Sequence, residues 1–343
     1  MSDSMPFIEA SGSNYEIGCQ LGEFSREALP AFLEHEKVRQ DREAILADTR
    51  VLSRSLKAAA DRYPKLMDEL RGIADGAGLA FEDVFIFNWR PRPRHVGVAE
   101  GCTTVIVPKA DRVLIGHNED WFAGTNGVFL ARLKTDDGAL DCLAVCYHGF
   151  LAGLSGSINH AGLAQSLNTM IASDCGAGVP LTLIDRAALE ATSIDDAVTL
   201  VSQPGRSDSE NFNFAQRTEA VYVETSGQEA EVVRVTSPTA HTNHILSDRL
   251  RPLEASPRTE SSRARHARAT RLLADLDDPG PDDIRAILSD HDGDPLAICR
   301  HGREDACDDY CDTLATVIID TADFALDVCF GPPCRSEFRR FML

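Results

Sequence analysis

The chain has 343 residues, 43% of them hydrophobic and 26% charged, enough for one large domain or two modest ones of ordinary soluble composition. A formal net charge of −20 argues against a nucleic-acid partner, and no stretch approaches the ~18 apolar residues of a membrane span. The start, Met1-Ser2-Asp3-Ser4-Met5-Pro6, has neither a basic n-region nor an apolar h-region, so no signal peptide and a cytoplasmic location are expected.

The first ninety or so residues read as helical. Apolar residues recur at helical spacing over 15–29, where Pro30 stops the run, over 41–56, and over 61–77 with Pro64 tolerated in a first turn. Phe85-Ile86-Phe87 ends this region, and Arg90-Pro91-Arg92-Pro93-Arg94 reads as an exposed loop because its prolines forbid helix interior. From Cys102 the texture turns to β, with short runs at 103–107, 112–117, 128–133, 142–147 and 163–167 separated by turn residues such as Asp136-Asp137-Gly138. Helices are predicted at 181–192 and 194–202, the second capped by Ser193. Strands resume at 220–224, 231–236 and 242–246, helices at 261–276 and 281–289, and strands at 314–320 and 324–330 close the chain. Strand clusters between helix clusters, without regular βαβ spacing, predict an α+β fold with antiparallel sheets.

Among the cysteines, Cys142 and Cys146 sit in an apolar run and read as small core residues. Cys299, Cys307 and Cys311, with His301 nearby, could ligate a metal, but their spacing matches no zinc pattern, so no metal and no other cofactor is expected. The arginines from Arg263 to Arg271 read as the wet face of a helix, with a phosphate site for a carrier such as coenzyme A as the alternative.

Chemistry concentrates at Glu100-Gly101-Cys102-Thr103-Thr104. Glycine lacks a Cβ, so its peptide can twist and let a neighbouring thiol approach. Attack of the Cys102 thiol on the Gly101 carbonyl, followed by hydrolysis, would free the Cys102 α-amine. One residue would then carry both nucleophile and base, since an α-amine has a pKa of roughly 7.7–8.0.

Further residues could serve that nucleophile. A hairpin turning across Pro108–Asp111 has arms of similar length and brings Asp120 beside the Cys102 amine. Asn168 and Asn243, the latter in His241-Thr242-Asn243-His244, are candidate oxyanion donors or plain turn residues. Arg300, in Ile298-Cys299-Arg300-His301, offers a fork of donors near the nucleophile or is a surface arginine.

With Gly116-His117-Asn118-Glu119-Asp120-Trp121 and Gly331-Pro332-Pro333-Cys334, these strings together resemble, in order, the acyl-coenzyme A:6-aminopenicillanic acid acyltransferase-like proteins of the N-terminal nucleophile hydrolases. The resemblance implies a four-layer αββα sandwich and self-cleavage between Gly101 and Cys102. It implies Cys102 as nucleophile, Asp120 as contact of its free amine, Asn168 and Asn243 in the oxyanion hole, and Arg300 near the sulfur. Residues 1–101 would form a helical pro-segment and small subunit, and 102–343 the core and large subunit of one structural domain. The fragments would stay associated, because strands of the second need the helices of the first as cover.

The expected function is hydrolysis of a C–N bond in a small N-acyl amine or related amide through a Cys102 thioester. The alternatives are acyl transfer to an amine from acyl-coenzyme A, and an inactive binding protein of the same fold.

Overall fold

The computed structural model describes residues 5–34, 39, 42–43, 45–46, 49–89, 101–122, 127–255, 259–301 and 311–343. The expected loop at 90–94, Glu100, Cys307 and part of the expected helix at 41–56 lie outside the described residues.

The β-branched and apolar runs assemble into two stacked sheets. One has eight strands in the order β1 (Phe7–Gly12), β4 (Val128–Thr135), β5 (Asp141–Tyr147), β6 (Gly156–Asn159), β7 (Leu163–Met170), β8 (Ser209–Gln216), β9 (Glu219–Thr225), β10 (Ala230–Arg234). The other has six, in the order β11 (Thr239–His241), β2 (Gly101–Pro108), β3 (Val113–Phe122), β12 (Cys311–Asp320), β13 (Ala325–Phe330), β14 (Arg339–Met342). Neighbours are antiparallel except β1 and β4, which run parallel.

Side chains alternate across each strand, so each sheet buries two faces. Ile106, Ile115 and Val317 meet Leu130, Leu143 and Val145 between the sheets. The outer face of the eight-stranded sheet packs on α1 (Asn14–Ser25), α4 (Pro64–Ala77), α6 (Leu181–Ala188) and α7 (Ile194–Val201), through Leu133, Phe212 and Phe214 against Ile17, Leu70, Ile184 and Ala197. The outer face of the six-stranded sheet, Val105, Val107 and Leu114, packs on Ala269, Leu273, Ile284 and Leu288 of α8 (Glu260–Ala274) and α9 (Pro281–Leu288). This is the αββα sandwich that the resemblance implies.

The N-terminal region is not all helix. It opens with β1, and the helical run expected to 29 ends at Ser25; Pro30 lies in the first turn of α2 (Leu29–Leu33), where a missing N–H costs nothing. Between α2 and α4 lies α3 (Thr49–Arg62), and Phe85–Phe87 falls inside α5 (Phe81–Trp89). The expected strand at 242–246 is a turn, because Thr242, Asn243 and His244 bond to Ser262 of α8 instead of to a neighbouring strand. β6, β8 and β14 carry no strong apolar alternation and escape a sequence reading.

Among the contacts that tie residues before Gly101 to those after it are the β1–β4 ladder and a buried ion pair. Arg186 donates to both Glu69 carboxylate oxygens at 3.0 and 2.9 Å, and Asn14 Nδ2 donates to the same carboxylate at 2.9 Å. Glu69→Ala strands a buried guanidinium and is expected to cost about 3–5 kcal/mol, measured by urea unfolding. A loss below about 1 kcal/mol would mean that Arg186 finds full compensation in Glu190, 3.0 Å away.

Candidate active site

β2 and β3 form the hairpin expected from their lengths, and its register sets Gly101 opposite Asp120 and Cys102 opposite Glu119. Because faces alternate, the Cys102 thiol points between the sheets while Asp120 points toward α8. The peptide joining Gly101 to Cys102 lies where the two faces meet.

On the helical face, charge converges on Gly101. A Cβ placed on Gly101 would lie 3.0 Å from Arg300 Nη1, 3.1 Å from Asp120 Oδ2 and 3.3 Å from Arg265 Nη2, so any larger residue would press these side chains back by a few tenths of an ångström. Asp120 is fully buried. Its Oδ1 accepts from Thr313 Oγ1 at 2.6 Å, and its Oδ2 makes no hydrogen bond among the described residues. A bulge in β12 supplies that threonine: Thr313 pairs with Asp120 and Ala315 with Glu119, leaving Leu314 out of the ladder. The same Thr313 hydroxyl accepts from the Arg300 backbone N–H at 3.0 Å and so holds the arginine's backbone in place. Burial pushes the Asp120 carboxyl up to about 6, against the pull of Arg300, Arg265 and the Thr313 hydrogen bond.

Arg265 is a functional candidate that sequence reasoning missed. The arginine run was expected to be a wet face or a phosphate site; instead Arg265 is buried. It donates to the Cys102 carbonyl at 2.5 Å, Thr103 Oγ1 at 2.9 Å and Asn243 Oδ1 at 2.9 Å. Its neighbours are engaged by protein carboxylates: Arg268 by Asp290 at 2.9 and 2.6 Å, and Arg263 by Glu254 at 2.9 Å. The signal was positional, since Ser262, Arg265, Ala269 and Leu273 form the buried stripe of α8.

Asn243 reaches the nucleophile's backbone. Its Oδ1 accepts the Cys102 N–H at 2.8 Å, and its Nδ2 donates to the Thr169 carbonyl at 3.1 Å. Two donors, Cys102 N–H and Arg265, face the oxygen, which fixes the amide orientation. The turn bearing Asn243 is itself pinned: Ser262 Oγ accepts from its N–H at 2.7 Å, and buried Glu224 accepts from the Leu246 and Ser247 N–H groups at 2.6 and 2.8 Å.

Asn168 lies one step deeper than expected. It touches Thr104, not Cys102: its Oδ1 accepts from Thr104 Oγ1 at 3.1 Å and from Asn211 and Asn213 at 3.2 and 3.0 Å. Its buried Nδ2 finds no acceptor among the described residues. Cys102, Asp120, Asn243 and Arg300 are therefore gathered around one peptide, with Asn168 beneath them.

On the inner face, Cys102 Sγ is 3.9 Å from Glu119 Oε1, which accepts from the Tyr147 hydroxyl at 2.9 Å, while Glu119 Oε2 is 3.1 Å from His117 Nε2. His117 is buried and its Nδ1 lies 2.9 Å from Thr104 Oγ1. Beside them opens a pocket continuous with solvent. Trp89, Trp121, Tyr147 and Phe150 line it together with the carboxyl groups of Glu119, Asp208 and Glu210. The aromatic rings stack edge to face, Trp121 and Tyr147 at 4.8 Å between centroids. Asp185, fully buried behind Glu210, is pushed well above the ordinary carboxyl range by burial and by that neighbour.

The family model of acyl-coenzyme A:6-aminopenicillanic acid acyl-transferase matches residues 107–335. A relative from Drosophila melanogaster, β-alanyl-dopamine/carcinine hydrolase, is 25% identical over 97% of this chain and 95% of its own. The 40 kDa form of acyl-coenzyme A:6-aminopenicillanic-acid acyltransferase from Emericella nidulans is 28% identical over 88% of this chain and 86% of its own. Among solved structures, penicillin V acylase from Agrobacterium tumefaciens superposes with a TM-score of 0.44 at 11% identity, covering 67% of this chain and 82% of its own. A variant of conjugated bile acid hydrolase from Clostridium perfringens superposes with a TM-score of 0.48 at 10% identity, covering 71% and 97%.

Proposed function

Because the chain belongs to the acyl-coenzyme A:6-aminopenicillanic acid acyl-transferase family, whose relatives here are amide hydrolases and acyltransferases, we propose that it is a self-activating cysteine amidohydrolase. The observation that carries this reading is the Gly101–Cys102 peptide, embraced by Asp120, Arg265 and Arg300 at the edge of an aromatic pocket.

In activation, Cys102 Sγ adds to the Gly101 carbonyl carbon, the C–N bond breaks, and the departing nitrogen takes the thiol proton. Water then cleaves the thioester, releasing the Gly101 carboxylate and regenerating the thiol. The guanidinium groups of Arg300 and Arg265 are placed to favour negative charge developing beside Gly101, and Asp120 to hold the ammonium that appears on Cys102. Asn243 Oδ1 keeps an acceptor on that same nitrogen, and the unmatched Nδ2 of Asn168 supports its reading as an oxyanion donor.

In turnover, the thiol attacks the substrate's amide carbonyl, the amine leaves with a proton, and water resolves the acyl-enzyme to the free acid. Hydrolysis is favoured over coenzyme A-dependent transfer because the arginines of α8 outside the site, Arg263, Arg268 and Arg271, are already paired with Glu254, Asp290 and Asp292.

The pocket supports a substrate class. Aromatic walls with the carboxyl groups of Asp208 and Glu210 among them suit an amide that bears a protonated amine, as β-alanyl amines do. Incubated with carcinine or β-alanyl-dopamine, the cut enzyme should release acid and amine without added coenzyme A. Glu210→Gln should raise KM for these substrates about tenfold to a hundredfold, as for a lost hydrogen bond to a charged group, and should spare a neutral N-acyl amine of equal size. Equal losses on charged and neutral substrates would remove the ammonium assignment. Amide formation from an acyl-coenzyme A ester with negligible amide hydrolysis would establish the transferase reading instead.

A further inference from the structure

Arg300 is flanked by Cys299 and His301, and these two residues meet His291 and Cys334 in space. His291 follows the end of α9, the Cys299–His301 pair precedes β12, and Cys334 lies in the turn after β13. Three separate segments thus bring two thiols and two imidazoles to one point.

His291 Nε2 lies 3.0 Å from His301 Nε2, which is 3.6 Å from Cys299 Sγ and 3.3 Å from Cys334 Sγ. All four ligand atoms lie within 4.8 Å of one another. Zinc–sulfur bonds of about 2.3 Å and zinc–nitrogen bonds of about 2.0–2.1 Å, set on tetrahedral corners, require edges of about 3.3 Å between nitrogens and about 3.6 Å between nitrogen and sulfur. The Cys299 separation equals its edge, and the other two fall within about 0.3 Å of theirs.

Hydrogen bonding alone does not explain the arrangement. The ring nitrogen His301 Nε2 carries at most one hydrogen or one lone pair, yet three polar atoms crowd it. Two of them are sulfurs, weak partners for such a contact. A cation at the centre accepts a lone pair from each atom at once, and two thiolates balance a divalent charge. A thiolate-rich mixed set selects zinc over the oxygen-seeking divalent ions.

We propose that His291, Cys299, His301 and Cys334 form a structural zinc site that clamps the segment carrying Arg300. Four protein ligands leave no open position, so the ion would take no part in the acyl chemistry. Its effect on Arg300 would run through the backbone, adding to the Thr313 hydrogen bond at the arginine's N–H. The sequence hid the site because its ligands are scattered and each string resembles no zinc motif.

The full chain, purified without a metal-binding tag and under reducing conditions, should carry about one zinc per molecule by elemental mass spectrometry. Cobalt(II) replacing it should give the intense visible bands of a tetrahedral ion and near-ultraviolet thiolate charge transfer. Cys334→Ser and His291→Ala should each lower zinc content at least tenfold, while Cys19→Ser, in α1, should retain it. Where a variant fails to fold, the intact chain still decides. Zinc should shield Cys334 from alkylation, and removing zinc with a chelator should lower the melting temperature and restore labelling. A reduced chain that binds no zinc in competition with a micromolar chromophoric chelator would overturn the proposal. So would a Cys299–Cys334 disulfide in protein purified anaerobically, or octahedral cobalt spectra.

Discussion

A Cys102→Ala chain is expected to run as one species under denaturing conditions, while the natural chain resolves into residues 1–101 and 102–343. The argument rests on where the sulfur and the charges lie. Cys102 is the first residue after a glycine whose α-carbon is closely surrounded by the charged ends of Arg300, Asp120 and Arg265. A structural role alone does not call for that arrangement: the guanidinium of Arg265 and the carboxylate of Asp120 are costly to bury, and packing hydrophobic side chains of similar volume is often no less stable. The arrangement is understandable where charge must appear during a reaction. Removing the thiol deletes both the nucleophile of activation and that of turnover, so amide hydrolysis should fall by roughly 10⁴-fold or more. Cys102→Ser should cut slowly and turn over poorly, a hydroxyl being the weaker nucleophile near neutral pH. N-terminal sequencing of the larger fragment settles the site of cleavage. Any start other than Cys102, or a cut Cys102→Ala chain, would remove the basis of the mechanism.

The two fragments should remain together after the cut. β1 lies in the eight-stranded sheet against β4, and Glu69 of the first segment, itself steadied by Asn14, accepts from Arg186 of the second. The helices of α1 and α4 cover the outer face of that sheet, which would otherwise expose Leu133, Phe212 and Phe214.

What the sequence made legible was local. Asp120 could be set near the Cys102 amine because a hairpin's register follows from the lengths of its arms, and the structure pairs it with Gly101, the residue before that amine. Strand and helix runs with clear periodicity, such as 128–133 and 281–289, fall within a residue or two of β4 and α9. Where side chains broke their usual rule, the reading failed. Arg265 is a charged residue on the buried stripe of a helix, and charge patterning assigns it to solvent. β8 carries Asn211 and Asn213 facing the core, where they serve Asn168, so a buried strand looks polar. His291 and Cys334 are far apart in the chain and meet only through the fold.

Self-cleavage should switch on with an apparent pKa near 6, rising with pH, as Asp120 ionises. The direction follows from the carboxyl's surroundings. Burial raises it from 3.8 to about 6, more than Arg300, Arg265 and Thr313 lower it. Below that value Asp120 is neutral and cannot draw the ammonium of the new N-terminus; above it, the carboxylate is in place. Stability should move the opposite way. Between 3.8 and about 6 the folded chain holds the proton more tightly than the unfolded chain. The uncut protein should therefore lose stability as pH rises through that window, by up to about 3 kcal/mol at 1.36 kcal/mol per pKa unit. Asp120→Asn mimics the protonated carboxyl. It should abolish cleavage at every pH and flatten this part of the stability profile, as followed by urea unfolding of Cys102→Ala with and without the second change. Once the chain is cut, the ammonium of Cys102 sits beside Asp120 and should pull its carboxyl back down, so the acid limb of turnover should lie at lower pH than that of activation. Identical acid limbs for the two reactions, or an Asp120→Asn chain that cuts itself normally, would show that Asp120 does not hold the amine.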